Sequence, residues 1–190
     1  MNLLVTLLTG ANDPDGALGV NAFSFVRDVQ TLGWNARLVG PRPLLDALPP
    51  HELATLTVAP GTGLGDVLLT AEPLMEGQDM CLLTDPALLP TVMPVTCLFR
   101  QLQADVLVTL RGPSPPVAGV PDPGDVVLVG DLVTHFPARR RERSTVRGLY
   151  VLSSAIFGAL RASSDHSLHA AIHRLTRHDA VFAYQSVRPE

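Results

Sequence analysis

Leu3 to Leu8 read LLVTLL, an unbroken apolar run that stops at TGANDPDGALG, a segment dense in Gly, Asn, Asp and Pro. A strand with one wet face alternates polar and apolar residues. A continuous run has no wet face, so it must be covered on both sides. Similar short runs recur at 36–39, 54–59 (ATLTVA), 80–83 (MCLL), 105–110 (DVLVTL), 148–153 (GLYVLS) and 180–186 (AVFAYQS). Between them the period changes. Asn21 can cap a helix through AFSFVRDVQTLG, with Phe25, Val26, Val29 and Leu32 on one stripe and Gly33 to close it. LLDAL forms a short helix after GPRP. Further helices are expected at Val67–Met75, at Thr91–Gln103 despite Pro94, at AIFGAL behind Ser153 or Ser154, and at SLHAAIHRL. DVVLVG and DLVTHF read as a hairpin about Gly130 and Asp131. Strand–helix alternation of this kind predicts a three-layer α/β/α domain with a mostly parallel mixed sheet, a single domain spanning 1–190. In such sheets ligands sit beyond the carboxyl ends of the strands. TGANDPDG and TDPALLP would open on the same edge.

Composition narrows the partners. With 190 residues and a net charge of -4, the chain can build a sizeable core and lacks the basic excess expected of a nucleic-acid binder. All 14 basic residues counted as Lys plus Arg are arginine, so no chemical step can use a lysine amine. Cys81 and Cys97 sit in apolar segments without a CxxC or Cys/His cluster, and are expected to be reduced core thiols. MNLLVTLLTG has no basic leader and is expected to be a first buried strand rather than a signal peptide. No apolar run nears the ~20 residues of a membrane span. These features predict a cytoplasmic protein.

Few residues carry chemistry. Gly61, Thr62, Gly63 and Gly65 fit neither a Walker loop nor G-x-G-x-x-G. They read either as a tight strand-to-helix turn or as a loop whose backbone approaches a flat ligand. Asp85 ends an apolar strand, where it either caps the ALLP turn or holds Mg²⁺, which takes carboxylates together with substrate phosphates. Asp13 and Asp15 form a DPDG turn or join Asp85 around a cation. Arg139, Arg140, Arg141 and Arg143 form a solvated loop or grip phosphates. His166, His169 and His173 have no HExxH context and are expected at the surface.

The stretch GTGLGDVLLTAEPLMEGQDMCLLTDPALL resembles the central part of the sugar-1-phosphate nucleotidyltransferases, or pyrophosphorylases. ADVLVTL is similar to that family's next strand and GVPDPGDVVLVGDLVTHFP to its hairpin. RGLYVLSSAIFGAL and SLHAAIHRLTRHDAVFAYQ are similar to the family's segments after the hairpin. The resemblance implies a nucleotide-diphospho-sugar transferase-like fold. It implies a reaction in which a sugar phosphate oxygen attacks the α-phosphate of an NTP and displaces pyrophosphate. It further implies base contacts from Gly61, Thr62 and Gly63, a Mg²⁺ ligand at Asp85, and Gly10 in the nucleotide loop. The partners would be a nucleotide and a sugar phosphate.

The departures concern the phosphate end. The family's first loop contains Gly-Thr-Arg and then a lysine, where this chain has TGANDPDGALGV. A second family lysine comes after the hairpin, where HFPARRR stands; Arg139 and Arg140 are its substitutes in charge but not in geometry. The family's second metal aspartate has no counterpart placed here. An alternative is therefore a domain that keeps the fold for binding, regulation or assembly, with a second copy or another protein as partner. A third reading comes from MNLLVTLLTGANDPDG and VRDVQTLGWNARLVGP, which are similar to the opening of metal-dependent nucleotide phosphatases of the survival-protein E type.

Overall fold

The computed structural model describes residues 1–7, 21–111, 127–129, 132–135, 148–178 and 180–186. Among these, nine strands form one sheet in the order β3-β2-β1-β4-β8-β5-β9-β7-β6. β1 (Asn2–Thr6), β2 (Asn35–Gly40), β3 (Ala54–Thr57) and β4 (Met80–Leu83) run parallel. β8 (Leu149–Leu152) is antiparallel to both β4 and β5 (Val106–Arg111). β9 (Val181–Ser186) is parallel to β5, and β7 (Leu132–His135) and β6 (Val127–Val129) complete the sheet as the expected antiparallel pair.

Alternate strand residues feed two cores. Leu4, Val39, Leu82, Val108, Tyr150 and Val181 face one. Leu3, Val5, Leu38, Leu83, Leu107 and Val151 face the other. This is the period of two imposed by the pleat, with both faces covered. The first face is roofed by α3 (Leu64–Ala71), α5 (Ala155–Arg161) and α6 (Leu168–Leu175). The second is roofed by α1 (Ala22–Thr31), α2 (Arg42–Asp46) and α4 (Val92–Leu102).

Local chemistry sets the helix ends. Asn21 Oδ1 accepts the Ser24 N–H at 2.9 Å, and Gly33 comes after α1 with a left-handed φ of +66°. The segment expected as one helix over 67–75 starts earlier, at Leu64, and tightens into a 3₁₀ turn at Glu72–Leu74, where Pro73 stands. α4 tolerates Pro94 because that residue lies in its first turn, where the missing N–H has no intrahelical acceptor. Cys97 departs from expectation. α4 buries Val92, Val95, Thr96 and Phe99, which turns Cys97 to the exposed side. Cys81 is buried, with Sγ 3.4 Å from Thr96 Oγ1, and burial pushes its thiol up to about 12.

At the amino edge, Asn2 substitutes side-chain bonds for lost hydration. It is buried, accepts from Asn35 Nδ2 at 2.8 Å, and donates to the Met75 carbonyl at 3.3 Å.

Candidate functional site at the carboxyl edge

The parallel strands β1–β4 end at one edge, and the turns after β2, β3 and β4 open there. Gly61–Gly63 comes after β3 and Asp85 after β4, with β2 and β1 between them. Three strand spacings separate them, about 14 Å along the sheet.

The three glycines of GTGLG have three different reasons. Gly61 has φ +80°, a conformation open to glycine at no steric cost. Thr62 fixes the turn, its Oγ1 donating to the Ala59 carbonyl at 2.7 Å. Gly63 is the N-cap of α3 and offers no side-chain cap; a β-carbon there would meet only Asp66 Oδ2, at 3.8 Å. Gly65 is buried, and a β-carbon there would overlap the backbone carbonyl oxygen of His166. Gly65 therefore belongs to helix packing, while Gly61 and Gly63 belong to the exposed turn.

Asp85 is 3% exposed. It is the N-cap of the 3₁₀ segment Pro86–Thr91, its Oδ1 accepting the Ala87 N–H at 3.1 Å, so the capping alternative is built. Thr84 anchors the strand end just before it. The Thr84 N–H donates to the Gly148 carbonyl at 2.9 Å, and Thr84 Oγ1 accepts the Gly148 N–H at 2.7 Å. The position of Asp85 is thus tied to the start of β8.

A carboxylate has about four acceptor positions, so a cap is one of several contacts it can make. Its hard oxygens suit Mg²⁺, which is held by one or two carboxylates with phosphates and water rather than by a protein cage. Among the described residues no group of three or more His, Cys, Asp or Glu is placed to hold a metal ion. Gly10, Asp13, Asp15, Arg139, Arg140, Arg141 and Arg143 lie outside the described residues.

One pair at this edge has no sequence signal. His166 Nδ1 lies 3.2 Å from Asp66 Oδ1 across 100 residues of chain. His166 is at the surface as expected, whereas His169 and His173 are half-buried on α6. No described helix is long and apolar enough to cross a membrane.

No family model matches the sequence, and no curated protein matches it. Solved structures do match in fold. UDP-glucose pyrophosphorylase from Acinetobacter baumannii superposes with a TM-score of 0.63 at 15% identity, over 97% of this chain and 85% of its own. The UTP-bound enzyme from the same organism gives 0.64 at 15%, over 97% and 85%. Inositol-1-phosphate CTP transferase from T. maritima gives 0.59 at 14%, over 97% and 84%. The chain shares the α/β fold of these sugar-phosphate nucleotidyltransferase structures.

Proposed function

We propose that the chain is a nucleotidyltransferase that moves a nucleotidyl group from an NTP to a sugar phosphate at the carboxyl edge of β1–β4. The observation that carries this reading is the placement of the Gly61–Gly63 turn and Asp85 on one sheet edge, in a fold shared with structures of that activity.

In this reading the base lies against the turn. Gly61 and Gly63 have no side chains to hold it off, and Thr62 is committed to keeping the turn closed. The phosphates run along the edge toward Asp85, and the resemblance gives Gly10 a part in binding them. Arg139 and Arg140 are the cations offered to them, since the sequence contains no lysine. A sugar phosphate oxygen forms the new bond to the α-phosphorus as the α–β bridging bond breaks, and pyrophosphate leaves with that electron pair. Mg²⁺, bound through the phosphates and Asp85, would supply neutralisation of their charge. The whole chain acts as one cytoplasmic domain.

A second reading is favoured by the absence of lysine from the sequence: a domain of this fold that binds nucleotide without turning it over, for regulation or assembly. One experiment separates the two. The four NTPs and UDP-glucose are titrated calorimetrically with and without Mg²⁺, then incubated with sugar 1-phosphates and assayed for pyrophosphate. Pyrophosphate release abolished by Asp85→Asn supports transfer. Binding without release supports the second reading, and no binding at all rejects both nucleotide readings.

A further inference from the structure

The loop joining α5 to α6 packs against the first turn of α3, just after the glycine turn. β8 runs against the parallel strands, so α5 starts at the amino edge and returns toward the carboxyl edge, where α3 begins. The loop is internally built. Asp165 Oδ1 accepts from Ser163 Oγ at 2.7 Å and from the Ser167 N–H at 3.2 Å, and Ser167 caps α6. It holds His166 at φ +48°, a left-handed conformation that costs free energy at a residue other than glycine.

That backbone presses the His166 carbonyl onto Gly65 and sets its ring against Asp66. Asp66 is the third residue of α3 and bridges two neighbours. Its Oδ1 meets His166 Nδ1, and its Oδ2 reaches back over Gly63. A carboxylate only accepts, so in the neutral ring Nδ1 carries the proton and Nε2 is left as an acceptor. The ring is 47% exposed, and an exposed pair of this kind adds little to stability. Its strained backbone and its place beside the turn call for another account.

We propose that His166 reads a hydroxyl of the bound sugar-bearing ligand. Its Nε2 accepts a hydrogen bond from the ribose of the nucleotide or the hexose of the sugar phosphate, and Asp66 is the positioning residue that fixes the tautomer. This rests on the nucleotide reading above.

The test titrates the four ribonucleoside triphosphates and UDP-glucose into the wild-type chain, His166→Asn, Asp66→Asn and the double variant. Asparagine tolerates a left-handed φ, so His166→Asn keeps the loop, and Asp66→Asn leaves the His166 backbone untouched. Loss of one hydrogen bond predicts affinity weakened about 2- to 13-fold in each single variant. The double variant should lose no more than either one. Imidazole nitrogen shifts should show Nδ1–H less populated in Asp66→Asn, whose amide can turn its NH2 as well as its oxygen toward the ring. Weakening toward triphosphates and UDP-glucose alike assigns the ribose, and weakening toward UDP-glucose alone assigns the hexose. Wild-type binding unchanged in both variants overturns this proposal alone. Absence of wild-type binding overturns the nucleotide reading and this proposal with it.

Discussion

The backbone carbonyl of His166 rests against the α-carbon of Gly65, in a space no β-carbon can share. Gly65→Ala must push backbone against backbone, and overpacking of this kind costs about 1–3 kcal/mol or more. Two residues earlier the outcome reverses. Gly63→Ser meets open space and adds a capping hydroxyl, so stability should hold or rise by a few tenths of a kcal/mol, roughly the difference between these caps. Under the proposed function that same serine weakens nucleotide binding. Urea denaturation of both variants checks the first pair of claims, and titration of Gly63→Ser checks the last.

Thr84 and Gly148 exchange backbone and hydroxyl bonds at the junction of β4 and β8. Thr84→Val keeps the shape and removes the hydroxyl, leaving the Gly148 N–H without this acceptor. A loss of about 1–3 kcal/mol is expected from denaturant curves. A change under about 0.3 kcal/mol would show that the junction does not depend on the hydroxyl, since it is below what one buried bond contributes.

Asp85 separates two roles by substitution. Asp85→Ala removes the acceptor for the Ala87 N–H and should cost about 1 kcal/mol, as lost caps do. Asparagine also caps well, so Asp85→Asn should keep most of that stability while losing the charge. If Asp85 serves Mg²⁺, nucleotide affinity in Asp85→Asn no longer responds to the metal. Wild-type metal dependence in Asp85→Asn would remove Asp85 from the metal site.

The two thiols should behave oppositely. Iodoacetamide at pH 8 should label the exposed Cys97 and spare Cys81 until the chain unfolds. Burial raises the Cys81 thiol from 9.0 to about 12, opposed in part by its bond with Thr96. Below pH 9 both folded and unfolded forms keep the proton, and the stabilisation is whole. Between pH 9 and 12 only the unfolded form loses it, so stability falls as pH rises through that window. Cys81→Ala should flatten this alkaline fall, as read from urea midpoints across the window.

Much of the fold was legible because it is local. The apolar run from Leu3 announces a doubly covered strand, Asn21 and Gly33 bracket α1, and the β6–β7 pair shows as two short apolar runs close together in the chain. The direction of β8 was not legible. LYVL is equally apolar whichever way it runs, and its antiparallel course is settled by neighbours far off in the chain. Spacing also grouped Gly65 with Gly61 and Gly63, although its reason is the carbonyl of His166. The Asp66–His166 pair joins distant segments and left no mark in either one. Cys97 misled because a helix in an apolar stretch still has an outer side.

β8 lies between β4 and β5, and Thr84 meets Gly148 only across a separation of 64 residues. The sheet therefore cannot assemble in the order of synthesis. While the chain emerges, β4 has its inner edge open, and β5 has no neighbour to hold it beside the first four strands. Closing so long a loop delays the pairing, and an apolar strand with a free edge is the usual starting point for association between nascent chains. A polypeptide interrupted before residue 148 would lose the middle of its sheet rather than its end.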